Sequence, residues 1–215
     1  MTLSIVHALQ GKEILLTGAT GFLGLALVEK LLRHVPGCSL TLLVRSSDHA
    51  SAQKRFTELA QAEPIFAGID ATAFARVRCL AGDITVPRLG LNDEDRAALQ
   101  GRIALVIHSA ASVDFDEPID EAISVNIEGP LAVQALACEI DAGFLQISTA
   151  YVCGDRSGPI PDTLDSAGVV AAVDPAVGLQ VLRDLVAQLY AEHGYVAGTA
   201  RKPSKKLILA LMTTG

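Results

Sequence analysis

The chain has 215 residues, half of them apolar, with 17 Lys and Arg against 24 Asp and Glu for a net charge of −7. That length supports one domain with a substantial core, or one domain and part of another, and the acidic balance argues against a broad nucleic-acid surface, as does the lack of Trp. No basic segment leading into an apolar one opens the sequence, and no run reaches the ~18 apolar residues of a membrane span, so a cytoplasmic protein without a transmembrane segment is expected.

Met1 to Gly11 reads as a lead-in, and Ile14 to Thr17 as a short buried strand. An amphipathic helix is predicted from Phe22 to His34, with Leu23, Leu27, Leu31 and Leu32 on one face, stopping before the breaker pair Pro36-Gly37. Between strand and helix lies Thr17-Gly18-Ala19-Thr20-Gly21-Phe22-Leu23-Gly24. Glycines at this spacing bring backbone amides and the positive end of a helix dipole to a pyrophosphate. Gly18 is expected to permit the tight turn, Gly21 to remove a Cβ where a dinucleotide lies close, and Gly24 to let helix and strand pack. Thr17, Thr20, Phe22 and Leu23 complete the candidate cofactor-binding set of this turn. The plainer alternative is a tight turn that binds nothing.

Ser39 to Val44 is predicted as the second strand, ending at Arg45. An acid at that place accepts from a free ribose 2′-hydroxyl, whereas an arginine pairs with a 2′-phosphate, so Arg45 favours NADPH over NADH unless it is a solvated surface residue. Ser46 and Ser47 are candidate hydroxyl donors to the same phosphate. Ala50 to Ala62 reads as a polar-faced helix, Pro64 to Ala73 as a connection and Arg76 to Ala81 as the third strand. Just beyond, Asp83 is assigned to the adenine amino group, with loop capping as the alternative, and Ile84 beside it joins the candidate cofactor contacts. Asn92 is expected to cap a helix whose first turn carries Asp93, Glu94 and Asp95.

Ile103 to His108 is the fourth strand, and the small residues Ser109, Ala110 and Ala111 at its carboxyl end are expected to line the nicotinamide-ribose side of a crevice. His108 reads either as a general base or, more ordinarily for a buried strand, as a hydrogen-bonded core residue. A helix from Pro118 to Ala142 is expected to bend at Gly129-Pro130, and the polar Asn126 on its apolar face needs a partner. Gly143 to Ile147 forms the fifth strand, with Ser148 and Thr149 at its end as candidate catalytic hydroxyls; a Ser-Thr pair also ends strands without chemistry. Ser157 to Asp174 reads as a long loop and Pro175 to His193 as a last helix. Cys38, Cys79, Cys138 and Cys153 lack paired spacing and are expected to be reduced small hydrophobes, with no metal site. The alternation of elements predicts an α/β fold with a doubly wound parallel sheet, a Rossmann-like NAD(P)-binding domain over residues 1–160 and a partial helical segment over 161–215.

The glycine turn, Leu42-Leu43-Val44-Arg45, Ala81-Gly82-Asp83-Ile84, the segment from His108 to Pro118 and that from Ser148 to Gly158 together resemble the reductase domain of fatty acyl-CoA reductases. That group, of the male-sterility NAD-binding type and related to thioester reductase domains, belongs to the extended short-chain dehydrogenase/reductases. The resemblance implies NADPH-dependent reduction of an acyl-CoA or acyl-carrier thioester to an aldehyde or alcohol, with peripheral lipid contact compatible with it. It places Thr149 in the family's Ser/Thr catalytic position. The family's Tyr-x-x-x-Lys pair is not matched: Tyr190 is followed four residues later by Gly194 and Tyr195 by Thr199. A non-catalytic NADP-binding module is therefore the alternative, with a sugar-nucleotide enzyme or epimerase of the same superfamily a third reading.

Overall fold

Ile14, Leu15 and Leu16 are fully buried because their strand, β1 (Glu13–Thr17), is covered on both faces. The structure is a computed structural model that describes residues 4–114, 117–149, 158–159, 174–196 and 207. Around β1 stand β2 (Ser39–Val44), β3 (Val77–Ala81), β4 (Ile103–His108) and β5 (Gly143–Gln146), every pair parallel, in the order β3-β2-β1-β4-β5. Side chains alternate across the sheet. Ile14 and Leu16 join a core with Val28, Leu31 and Leu32 of α2 (Phe22–His34) and Ala52 and Phe56 of α3 (His49–Ala62). Leu15 faces the opposite way, into a core with Leu99 of α5 (Asp93–Leu99) and Val133, Leu136 and Ala137 of α7 (Gly129–Glu139). The sheet is thus doubly wound, as expected.

The helix expected at Phe22 has the predicted bounds but a rotated buried face. Leu25, Val28, Leu31 and Leu32 are buried, while Leu23 is 42% exposed. The cause is Gly24, whose missing Cβ lets the helix lie against Gly18 and fixes its rotation. The lead-in contains a short α1 (Ile5–Leu9) with no buried residue. The connection after α3 holds a 3-10 turn, Pro64–Phe66, and α4 (Ala71–Phe74). Strand β3 begins one residue late because the Arg76 amide donates to the Ala73 carbonyl in the turn after α4, while the Arg76 side chain is tied to the carbonyls of Leu32, Val35 and Cys38.

The long helix expected from Pro118 to Ala142 is instead α6 (Ile119–Ile123), a π-turn at Ser124–Glu128, and α7. Pro130 near the start of α7 supplies no amide for an ordinary continuation, and the chain leaves the helix at Glu139, with Asp141 at φ 55°. The described residues fall into two compact units, residues 1–113 with 124–147 and residues 114–123 with 148–215. In the second, α8 (Pro175–Glu192) is capped by Asp174 and contributes Val186, Leu189 and Tyr190 to a small core with Leu207. Among the described residues no helix is long and apolar enough to cross a membrane, and no cluster of His, Cys, Asp and Glu is placed to hold a metal.

Candidate nucleotide site

The chain leaves β1 toward β2 and β3, then returns to β4 on the other side of β1, so the strand order reverses between β1 and β4. The carboxyl ends of those two strands carry Thr17 and His108, which are register partners, followed by the glycine turn and by Ser109 to Ala111. Doubly wound sheets open a ligand crevice at this reversal.

The three glycines of the turn have different physical reasons. Gly18 has φ +72°, and a Cβ there would stand 2.5 Å from the Ala110 nitrogen and 2.6 Å from the Ser109 carbonyl carbon. A Cβ on Gly24 would stand 2.0 Å from the Gly18 carbonyl oxygen. Both positions are therefore demanded by the protein's own packing. Gly21 is not. Its φ of −87° suits any residue, and a Cβ would meet nothing nearer than the Gly18 oxygen at 3.4 Å. The open space at Gly21 lies at the N-cap of α2, where no side chain caps the helix and no acidic residue occupies the first turn. The amides of that first turn are left for an anion. Thr20 is half-buried, Phe22 is 94% exposed and Leu23 is exposed.

Thr17 is buried, and its hydroxyl lies 2.6 Å from His108 Nδ1. The amides of Ser109 and Ala110 donate to the same hydroxyl oxygen at 3.3 and 3.4 Å. The Thr17 side chain thus joins the two turns from beneath. His108 is fully buried and its Nε2 has no partner among the described residues. Burial pushes its pKa down to about 4, so the ring is neutral at ordinary pH. A hydrogen-bonded core residue describes it better than a general base.

At the end of β2 Arg45 is exposed, and its carbonyl accepts a hydrogen bond from Arg55 Nη1 at 2.6 Å. Two guanidinium-bearing residues therefore meet at this corner. Sequence reading missed Arg55, whose only signal was its placement on the second turn of a helix beginning near Arg45. Ser46 is half-buried, and the Ser47 hydroxyl donates to Asp48. Asp48 caps α3, accepting from the amide and hydroxyl of Ser51, and those donors hold its carboxyl down at about 2. Ser47 in this arrangement serves the cap. His49, also missed, accepts from the Ala81 amide at Nδ1 and bonds Asp95 through Nε2, tying β3 to α5.

Asp83 accepts from the amide and hydroxyl of Thr85, both at Oδ1, which is the loop-capping alternative. Ile84 turns its side chain to the second core, where a Cβ on Gly129 would press 2.8 Å from its Cδ1. Asn92 caps α5 in a full capping box with Asp95, as expected. Ser109 and Ala110 are half-buried and Ala111 is exposed. Asn126, in the π-turn, both accepts from and donates to the Ser112 backbone, so its side chain anchors the segment after Ser109 to Ala111.

Ser148 and Thr149 are exposed residues following β5. Cys153, Ser157 and Thr199, with the rest of the segment from Ser148 to Gly158 between Thr149 and Gly158, lie outside the described residues. In the second unit the Tyr190 hydroxyl donates to Asp120, and burial pushes its pKa well above the ordinary tyrosine value. Cys38 and Cys79 are free and buried, with burial pushing the Cys79 thiol up to about 12, and Cys138 is free and exposed.

An NAD-binding family described as Male sterility protein matches residues 16–207. The chain is similar to Fatty acyl-CoA reductase 8 of Arabidopsis thaliana, 38% identical over 175 residues, covering 75% of this chain and 35% of that protein. It is also similar to Probable fatty acyl-CoA reductase 5 of the same plant, 39% identical with the same coverage. Among solved structures it is similar to the terminal R domain of the myxalamid PKS-NRPS pathway, with a TM-score of 0.61 and 29% identity over 74% of this chain and 41% of that one. The reductase (R) domain of a nonribosomal peptide synthetase from Mycobacterium tuberculosis gives 0.63 and 28%, over 76% of this chain and 40% of that one. The chain spans about a third of the length of these curated relatives.

Proposed function

The chain belongs to the NAD-binding male sterility protein family, and from that premise we propose that it is the nucleotide-binding part of an NADPH-dependent reductase of fatty acyl thioesters. The observation that carries the reading is Gly21. Neither its backbone angle nor its surroundings require glycine, and the space it leaves open adjoins the uncapped amides of α2. A diphosphate fits that cradle: it needs backbone donors, a positive helix end and no side chain in the way.

In this reading Gly18 to Gly24 receive the diphosphate and Arg45, with Arg55 beside it, receives the ribose 2′-phosphate. Asp83 and Ile84 border the adenine, and Ser109 to Ala111 border the nicotinamide ribose. A reduced nicotinamide bound there would supply hydride to the thioester carbon and become oxidised, and departure of the thiolate would leave the aldehyde. The Thr149 hydroxyl, with Ser148 beside it, donates a hydrogen bond to the substrate carbonyl oxygen, stabilising the negative charge that develops there. The substrate class is the acyl-CoA or acyl-carrier thioester that the relatives' names suggest.

The absence of a Tyr-x-x-x-Lys match after Thr149 favours a second reading, a nucleotide-binding module with weak or no turnover. One experiment addresses both. Fluorescence titration should give tighter binding of NADPH than NADH, and Arg45→Ala should erase a preference of about tenfold, the value of one guanidinium-phosphate pair. Equal affinity for both dinucleotides before mutation would remove the 2′-phosphate assignment. Addition of a long-chain acyl-CoA should then oxidise NADPH in the first reading and leave it intact in the second.

A further inference from the structure

We infer that His108 is a positioning residue for the dinucleotide: it fixes the proton of the Thr17 hydroxyl so that this one oxygen clamps the turn after β4 against the glycine turn after β1. The inference rests on the nucleotide-binding reading above and adds a residue to it that does not face the ligand.

The geometry defines the proton positions. The Thr17 oxygen has two lone pairs and one proton. Two amide protons, from Ser109 and Ala110, come to it at 3.3 and 3.4 Å, and they occupy the lone pairs. The hydroxyl proton then goes to His108 Nδ1, 2.6 Å away. The imidazole is consequently the neutral tautomer with its hydrogen on Nε2. That tautomer leaves Nε2–H without a partner among the described residues, which is unfavourable in a fully buried ring. An apolar side chain would relieve this penalty. It would also free the Thr17 hydroxyl to rotate toward another acceptor, turning its lone pairs away from the two amides.

What those amides hold in place is the site itself. The Ser109–Ala110 backbone abuts Gly18 so closely that no Cβ fits between them, and the Gly18 carbonyl in turn accepts from the Gly21 amide at 3.0 Å and abuts Gly24. A change in the tilt of residues 109 and 110 therefore reaches the turn at Gly21 through backbone contacts alone. Positions of this kind, one layer beneath the contact residues, set the precision of a binding site.

The test compares NADPH dissociation constants by fluorescence titration at a temperature where every variant is folded by thermal melting. His108→Leu should weaken NADPH binding about tenfold, while His108→Asn, whose amide oxygen replaces Nδ1 as acceptor, should stay within about threefold of the unsubstituted chain. Thr17→Val and Thr17→Ser should divide in the same way, and they decide the matter if His108→Leu does not fold. Long-range proton–nitrogen NMR of the imidazole should give the Nε2–H tautomer. A folded His108→Leu or Thr17→Val chain with unchanged NADPH affinity, or an Nδ1–H tautomer, overturns the inference while leaving the nucleotide reading intact. Failure of the unsubstituted chain to bind NADPH overturns both.

Discussion

The two ends of the sheet are built on opposite principles. At the amino end Glu13 gathers partners from β2, from β3 and from the segment before β4: the Thr41 hydroxyl at 2.7 Å, Arg78 at 3.5 Å and Arg102 at 3.0 Å. Side-chain charge is neutralised there and the strands are stapled together. At the carboxyl end, between β1 and β4, the linking group is the neutral Thr17–His108 pair, and the amides of α2 are left without a side-chain cap. Nearby helices show that such caps were available to this sequence, since Asp48 caps α3 and Asn92 caps α5. The amino end is completed by the protein itself, whereas the crevice end leaves donors for an anion to satisfy.

The largest effect should come from the glycine turn. Gly24→Ala is expected to destabilise the chain by about 3 kcal/mol, because a Cβ 2.0 Å from a backbone oxygen forces helix and strand apart. Gly21→Ala should change stability by less than about 1 kcal/mol, yet weaken NADPH binding by about tenfold or more. Urea unfolding and dinucleotide titration of the two variants measure both quantities. A Gly21→Ala chain that binds as well as the original would show that the open space at Gly21 is not used.

Acid should separate the two ends next. The buried His108 ring has its pKa near 4 against an ordinary 6.5, so between these values the unfolded chain takes up a proton that the folded chain refuses. Stability is therefore lost as pH falls from about 6.5 toward 4, by about 3 kcal/mol over the window for this one group, and is level above it. His108→Asn should flatten that slope in urea titrations at a series of pH values. Identical slopes in the two chains would mean the ring is protonated in the fold.

At the amino end, Glu13→Ala should cost about 1 to 2 kcal/mol by leaving Arg78 and Arg102 without their carboxylate, with dinucleotide affinity unchanged. A loss of affinity there would dissolve the contrast between the ends. Asn92→Ala should cost only about 1 kcal/mol, the value of one helix cap, again without effect on binding.

Several elements were legible because their signals are local. Ser39 to Val44 and Ile103 to His108 are short runs dominated by apolar residues, and Phe22 to His34 is closed by Pro36 and Gly37, so their bounds match the structure. The Asn92 cap was legible for the same reason: it lies three residues from the amide it serves. The rotation of α2 was not, since Leu23 and Leu25 are equally apolar and only the contact of Gly24 with Gly18 decides which one is buried. The π-turn before Gly129 was not legible either, because Pro130 signals a break without saying how the preceding turn is completed.

By itself the sequence determined the order of elements, the parallel sheet and the place of the glycine turn, all of which follow from hydrophobic periodicity and backbone permissiveness within a few residues. Only the tertiary structure decided that Gly21 differs in kind from Gly18 and Gly24, that Arg55 stands with Arg45, and that Ser47 and Asp83 are engaged in their own turns. It alone brought Thr17 to His108, 91 residues away in the chain. The physical reason is that a hydrogen bond or a steric contact depends on where two groups lie in space, and strand pairing across the sheet sets that distance for residues whose separation along the chain carries no information about it.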